Sequence, residues 1–247
     1  GWRLDVAPDI DNGRDPNNIY WETFRSVLRK LNPETVIIGE EWSDAAEFFG
    51  GDEWDSTMNY RLRAGILGFV RDSDFTDNDA NGDRIIYALP PSELDNTIRS
   101  IEEDYPRPAY HALMNVLSSH DVSRLLFVVD NDTQRQRLAA LLQFTLPGAP
   151  TVYYGDEIAI DAPSVRDSGG TYQDDPFNRA PYPWPDTQGD YYPAPDDDML
   201  AFYQQLGALR QANAALRTGD MVTLAADDQT GVYAFLRLDA ESGNAVL

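Results

Sequence analysis

The sequence predicts an α/β fold with parallel strands, followed near its end by an antiparallel segment. Two observations carry this. Up to about residue 217, short apolar or β-branched runs alternate with amphipathic helical stretches, five strands against four or five helices. After Gly219 the period changes, and residues 221–224, 232–238 and 244 onward read as strands joined by polar turns. The expected units are 1–217 and 218–247. A doubly wound sheet and part of a (β/α)8 barrel both fit the first unit.

The elements follow in order. Residues 1–6 open as a strand. Asp15-Pro16 pairs an N-cap with a proline at the first helical position, and Tyr20, Phe24, Val27, Leu28 and Leu31 then recur at helical spacing until Asn32-Pro33. Residues 35–39 form a short buried strand, and a further short segment ends at Met58-Asn59. Residues 60–71 look helical. The acidic stretch 72–83 reads as loop. Ser92 with Asp95 resembles a capping box ahead of the stripe Leu94, Ile98, Ile101 and Tyr105. Residues 113–118 form a strand, Thr133 with Gln136 caps the next helix, and 151–154 is a strand after Pro147-Gly148. Residues 155–197 form a loop whose length points to function or disorder. Residues 199–213 form an amphipathic helix.

Composition narrows the function. Among 247 residues, 42 acids face 19 bases, for a net charge of −23, and Lys30 is the sole lysine. Such a field repels nucleic acid phosphates, so no nucleic acid partner is expected. The acid excess fits a salt- or heat-adapted host, and an arginine-biased genome explains the scarce lysine equally well. Cysteine is absent, which excludes disulfides and thiolate chemistry. No apolar run approaches a membrane span, so no membrane partner is expected. There is no glycine-rich phosphate loop and no basic patch.

Three predicted strands end in acids: Asp5, Glu40-Glu41 and Asp121. A lone acid at a loop start is commonplace and solvated. Three of them, each directly after a buried run, would meet at one mouth of a barrel. That suits glycoside chemistry, in which one carboxylate attacks and another protonates the leaving oxygen.

The motifs around these acids resemble the α-amylase family of glycoside hydrolases. Gly1-Trp2-Arg3-Leu4-Asp5-Val6 resembles its fourth-strand motif, Val36-Ile37-Ile38-Gly39-Glu40-Glu41-Trp42 its fifth, and Leu117-Ser118-Ser119-His120-Asp121 its seventh. Residues 54–60 and 148–157 resemble the sixth and eighth. Asp175-Pro176-Phe177-Asn178-Arg179 with Trp184 resembles the loop that follows. The resemblance implies a partial (β/α)8 barrel, strands four to eight, then the start of an all-β C-terminal domain. Strands one to three would precede residue 1, so the chain is expected to be a piece of a longer protein, nearly inactive alone. Its open edge invites a second copy, a homo-oligomer. The compartment stays open, with secretion slightly favoured over the cytoplasm.

The resemblance also implies roles. Asp5 would be the nucleophile, kept ionised by Arg3. Glu40 would be the general acid and then base, preferred over Glu41 because it directly follows the glycine. Asp121 and His120 would brace the sugar, with Trp42 and Arg179 also binding substrate. His111 would be structural. Val6-Ala7-Pro8-Asp9 lacks the Lys-His that α-amylases often carry there, which points to the neopullulanase, cyclomaltodextrinase and amylopullulanase branch. The partner would be an α-glucan. A transglycosylase and a non-catalytic relative are the alternatives. No cofactor is expected. Asp77 to Gly82 resembles the front of a calcium-binding EF-hand loop, but its ninth and twelfth positions would be Ile85 and Ala88. Trp42, Trp54, Tyr154, Tyr182, Trp184, Tyr191 and Tyr192 fall near strand ends, where sugars stack.

Overall fold

A computed structural model describes residues 1–10, 19–79, 82–161, 165–166, 172–173, 178–184 and 195–247. Its elements in chain order are β1 (Trp2–Leu4), α1 (Ala7–Ile10), α2 (Tyr20–Leu31), β2 (Ile37–Gly39), β3 (Ser56–Thr57) and α3 (Tyr60–Arg71). Next come β4 (Phe75–Asp79), β5 (Gly82–Ile86), α4 (Pro91–Asp104), α5 (Arg107–Ala112), β6 (Met114–Val116), α6 (Leu125–Val128), α7 (Thr133–Thr145) and β7 (Ala149–Thr151). Then follow β8 (Val165–Arg166), β9 (Tyr172–Gln173), α8 (Asp197–Ala212), α9 (Ala214–Thr218), β10 (Asp220–Asp227), β11 (Val232–Asp239) and β12 (Asn244–Val246). No helix among the described residues is long and apolar enough to cross a membrane.

Strand order selects the barrel over the doubly wound sheet. β1 pairs in parallel with β2, and β2 with β3. β6 pairs in parallel with β7, and a parallel bridge between Met58 and Met114 joins the two sets. The order therefore runs β1-β2-β3-β6-β7 without the reversal that marks a doubly wound sheet. This is a barrel segment of successive strands, with helices between them. All the carboxyl ends consequently lie on one rim.

The core explains why β2 ends where it does. Trp54 is buried, stacks on Phe48 at 3.8 Å and meets Trp21 edge-on at 5.7 Å. Its ring lies flat against Gly39, where an added Cβ would come within 2.3 Å. Gly39 thus lets a large ring close against the strand just before Glu40. Gly39→Ala is expected to lower stability by about 1–3 kcal/mol through overpacking, read as a fall in the thermal midpoint. An unchanged midpoint would contradict this packing. Trp54, placed near a sugar-stacking rim by the sequence, is a core residue.

Several sequence expectations are corrected. The acidic stretch is not all loop: β4 and β5 pair as an antiparallel hairpin. Acids disfavour strands, but tertiary partners override that preference. Asp77 is buried and ion-paired with Arg63 at 2.7 Å, and it accepts from the Ser123 N–H at 3.2 Å. Ser92 caps nothing. α4 starts with Pro91, and Ser92 instead donates through its N–H and hydroxyl to Asp228. The cap of α7 is Asp132, which accepts from Gln134 N–H and Arg135 N–H, while Gln136 turns inward to the Asp156 carbonyl. β7 begins at Ala149, directly after Gly148, whose φ is 111°. The expected Asp15-Pro16 cap, the 155–197 loop's Asp175, Pro176 and Phe177, and Tyr191 and Tyr192 lie outside the described residues.

The last three strands form an antiparallel meander, β10-β11-β12. Arg237 on β11 is fully buried and donates to the carbonyls of Thr145 and Gly219, while Arg210 on α8 donates to those of Phe144 and Gly148. The carbonyls at the end of α7 lack helical partners, and two cations there complement the helix dipole.

Candidate active site

The ends of β1, β2 and β6 deliver Asp5, Glu40 and Asp121 to one cleft of about 530 Å³. Val6, Pro8, Asp9, Glu41, Trp42, His120 and Arg179 also line it. Of the sequence-predicted site residues, Arg3 alone is not in the lining. It lies in the wall and links two of the acids, reaching Asp5 Oδ1 at 2.5 Å and Glu40 Oε1 at 3.2 Å. Its hydrogen bond holds the Asp5 carboxyl below the usual carboxylate range, against the opposing pull of desolvation.

Glu40 is 4% exposed, whereas Asp5 is open to the cleft. The second Glu40 oxygen accepts from the Val6 N–H at 2.9 Å. Val6 achieves this with φ at 43°, a left-handed conformation rare for a β-branched residue. Such strain gathers at functional sites. Glu41 lines the cleft too, but its carboxylate accepts from the N–H and hydroxyl of Ser43, each at 2.8 Å, while Arg3 pairs with Glu40.

The opposite wall comes from the loop after β6. His120 Nε2 sits 3.0 Å from Asp121 Oδ2, and Arg179 reaches Asp121 Oδ1 at 3.2 Å. Arg179 Nε and Asn178 Nδ2 both donate to the His120 carbonyl, at 3.0 and 2.7 Å. The segment 178–184 therefore fixes this loop from outside. Asn178 belongs to the motif at 175–179, but nothing in its spacing shows that it turns inward.

Trp42 departs from expectation. It lines the cleft, yet one face stacks on Tyr60 at 3.9 Å and 2°, and the Arg84 guanidinium lies 3.9 Å over its ring. The expected sugar-stacking platform is thus covered on both faces. Tyr60 exchanges a hydrogen bond with Ser119 at 3.1 Å, and Ser119 Oγ accepts from the Asp121 N–H at 3.1 Å. Burial, with the Glu40 and Asp121 charges adding to it, pushes the Tyr60 hydroxyl up to about 12. Sequence reasoning missed Tyr60 and Arg84 as site residues; the motif at 54–60 was the available signal for Tyr60.

Behind the site, Ser118 Oγ donates to Asp156 Oδ1 at 3.1 Å and accepts from the Leu125 N–H at 2.8 Å. Among the described residues no group of three or more His, Cys, Asp or Glu side chains is arranged to hold a metal ion. Asp77, the first position of the stretch that resembles the front of an EF-hand loop, is committed to Arg63 and Ser123. His111 is half-buried beside α9 and β10, where burial and the charges of Arg107, Arg237 and Arg210 lower its pKa.

A family model described as "Alpha amylase, catalytic domain" matches residues 1–219. A cyclomaltodextrinase from Bacillus sp is 36% identical over 239 residues, covering 97% of this chain and 36% of the relative. An amylopullulanase from Thermoanaerobacter thermohydrosulfuricus is 34% identical over 252 residues, covering 96% of this chain and 15% of the relative. The solved structure of Ttha1563 from Thermus thermophilus superposes with a TM-score of 0.79 at 33% identity, covering 96% of this chain and 46% of that one. The chain spans well under two thirds of the proteins it matches. With a barrel segment, its rim of three carboxylates and a family match over residues 1–219, the chain belongs to the alpha-amylase catalytic domain family.

Proposed function

We propose that this chain supplies the nucleophile and the acid/base of a retaining hydrolase acting on α-glucosidic bonds of starch, pullulan or maltodextrins. The supporting observation is the shared cleft, with Arg3 bridging an open Asp5 and a buried Glu40. In the first step an Asp5 oxygen bonds to the anomeric carbon while Glu40 gives its proton to the departing glycosidic oxygen. In the second, Glu40 takes a proton from water as that water's oxygen bonds to the anomeric carbon and Asp5 leaves. Two displacements retain the anomeric configuration. Asp121, His120 and Arg179 form the wall that would brace the ring as charge develops. The cyclomaltodextrinase and amylopullulanase relatives support this substrate class.

The test is hydrolysis of pullulan and soluble starch by the protein at its full natural length, with product anomers followed by NMR. Release of the α-anomer first supports the reading, and initial release of the β-anomer overturns it. Added glucose as acceptor separates hydrolysis from transfer.

Arg3 gives a pH prediction. Asp5 must be ionised to attack, and Arg3 keeps its pKa below the usual range. Removing the guanidinium raises that pKa, so Arg3→Gln is expected to move the acidic limb of kcat/KM to higher pH. A limb that stays in place would contradict the assigned coupling.

A further inference from the structure

The β4–β5 hairpin does more than connect α3 to α4. Asp77 and Arg84 stand opposite each other in its register. Side chains on directly opposed residues share one face of a hairpin. Asp77 accepts from the Ser123 N–H, in the loop that carries His120 and Asp121. It is also ion-paired to Arg63, whose Nε donates to the Leu117 carbonyl. Arg84 lies over Trp42, in the loop that carries Glu40. One rung of the hairpin therefore touches both loops that bear the candidate acids.

The stack it completes has an order: guanidinium, indole, phenol. A cation over an indole face is the strongest pairing of its type, and one over a part-buried ring is worth more than one in open water. With both faces covered, the indole meets the cleft at its rim. A ring held this way shapes a wall and does not offer a stacking platform. The wall stands beside Glu40 and Glu41. A group that protonates the leaving oxygen sits on the leaving-group side of the scissile bond, so this wall borders the departing sugar.

We propose that Arg84 is a positioning residue for the leaving-group side of the cleft, clamping Trp42 edge-on against Tyr60. This rests on the assignment of Glu40 as proton donor. Arg84 touches no reacting atom, and its effect passes through Trp42. Removing it frees the outer face of the indole and loosens the wall against which the departing sugar is seated.

The experiment uses the protein at full natural length with maltotetraose as substrate. Arg84→Ala is expected to raise KM about five-fold, the worth of one cation–π contact between an exposed guanidinium and a half-buried ring, with kcat held within about two-fold. Arg84→Lys, which keeps a cation but not the planar stack, is expected to recover part of the loss. In a Trp42→Ala background, Arg84→Ala is expected to shift KM by less than about two-fold, because the ring through which it acts is gone. An unchanged KM, or a five-fold rise that persists without Trp42, would overturn the proposal. If Arg84→Ala fails to fold, Arg84→Lys and Arg84→Gln decide the matter. Gln should raise KM and Lys should raise it less; equal values overturn the clamp. These outcomes are separable from the catalytic assignment, which is tested by Asp5→Asn, Glu40→Gln and the product anomer, none of which depends on Arg84.

Discussion

Asp5→Asn is expected to lower kcat on soluble starch by about 10⁴-fold or more, with KM changed little. An amide cannot supply the electron pair that forms the glycosyl-enzyme, so what remains is catalysis by the rest of the site alone. The fold should survive the change. Asp5 is exposed to the cleft and its main tie is Arg3, so substitution leaves no unpaired buried acid. Arg3 keeps Glu40 as a partner at 3.2 Å. A thermal midpoint close to that of the parent, beside a lost kcat, is the expected pair of results. Activity within about ten-fold of the parent would remove Asp5 from the role.

Glu40→Gln carries the second large effect, a fall of about 10²–10⁴-fold in kcat on starch. Its signature is dependence on the leaving group. A glycosyl fluoride departs without a proton, so the first step on maltosyl fluoride needs no acid. The loss in that step should shrink by at least about ten-fold relative to starch. An equal loss on both substrates would mean that Glu40 shapes the cleft without transferring a proton. The same substitution on Glu41 is expected to do little, because that carboxylate accepts from Ser43 and it is Glu40 that pairs with Arg3. Glu41→Gln as damaging as Glu40→Gln would reverse the order of the two acids.

The meeting of the three acids in one cleft was legible in sequence because its logic is local. An acid just beyond a strand's carboxyl end stands near the rim wherever the strands go; Glu40 directly follows the largely buried β2, Asp5 follows β1, and Asp121 stands in the loop after β6. Arg3 was legible only through the motif at 1–6, whose resemblance placed a guanidinium beside Asp5. The boundaries of β6 and β7 were less so: short buried runs blur into their loops, and Gly148 with φ at 111° sets the start of β7. The hairpin at 75–86 could not be read. Its acids argue for solvent, and it is Arg63 and Ser123, distant in sequence, that make a buried place for Asp77. Trp42 lines the cleft as expected of a site residue, but its covered faces were hidden for the same reason. Whether a ring offers a free face depends on neighbours that sequence spacing does not supply, here Tyr60 and Arg84. The covering of Trp54 by Gly39 and Phe48 is a third case. Local chemistry was visible, and the partners that redirect it were not.

The most direct test of the central claim is to trap the covalent intermediate. The protein at full natural length is incubated with a fluorinated maltosyl fluoride that forms the glycosyl-enzyme faster than it releases it, then digested and examined by mass spectrometry. The expected result is a single sugar adduct on the peptide carrying Asp5, absent from Asp5→Asn. An adduct on Glu40, Glu41 or Asp121, or turnover with inversion and no adduct, would contradict the account.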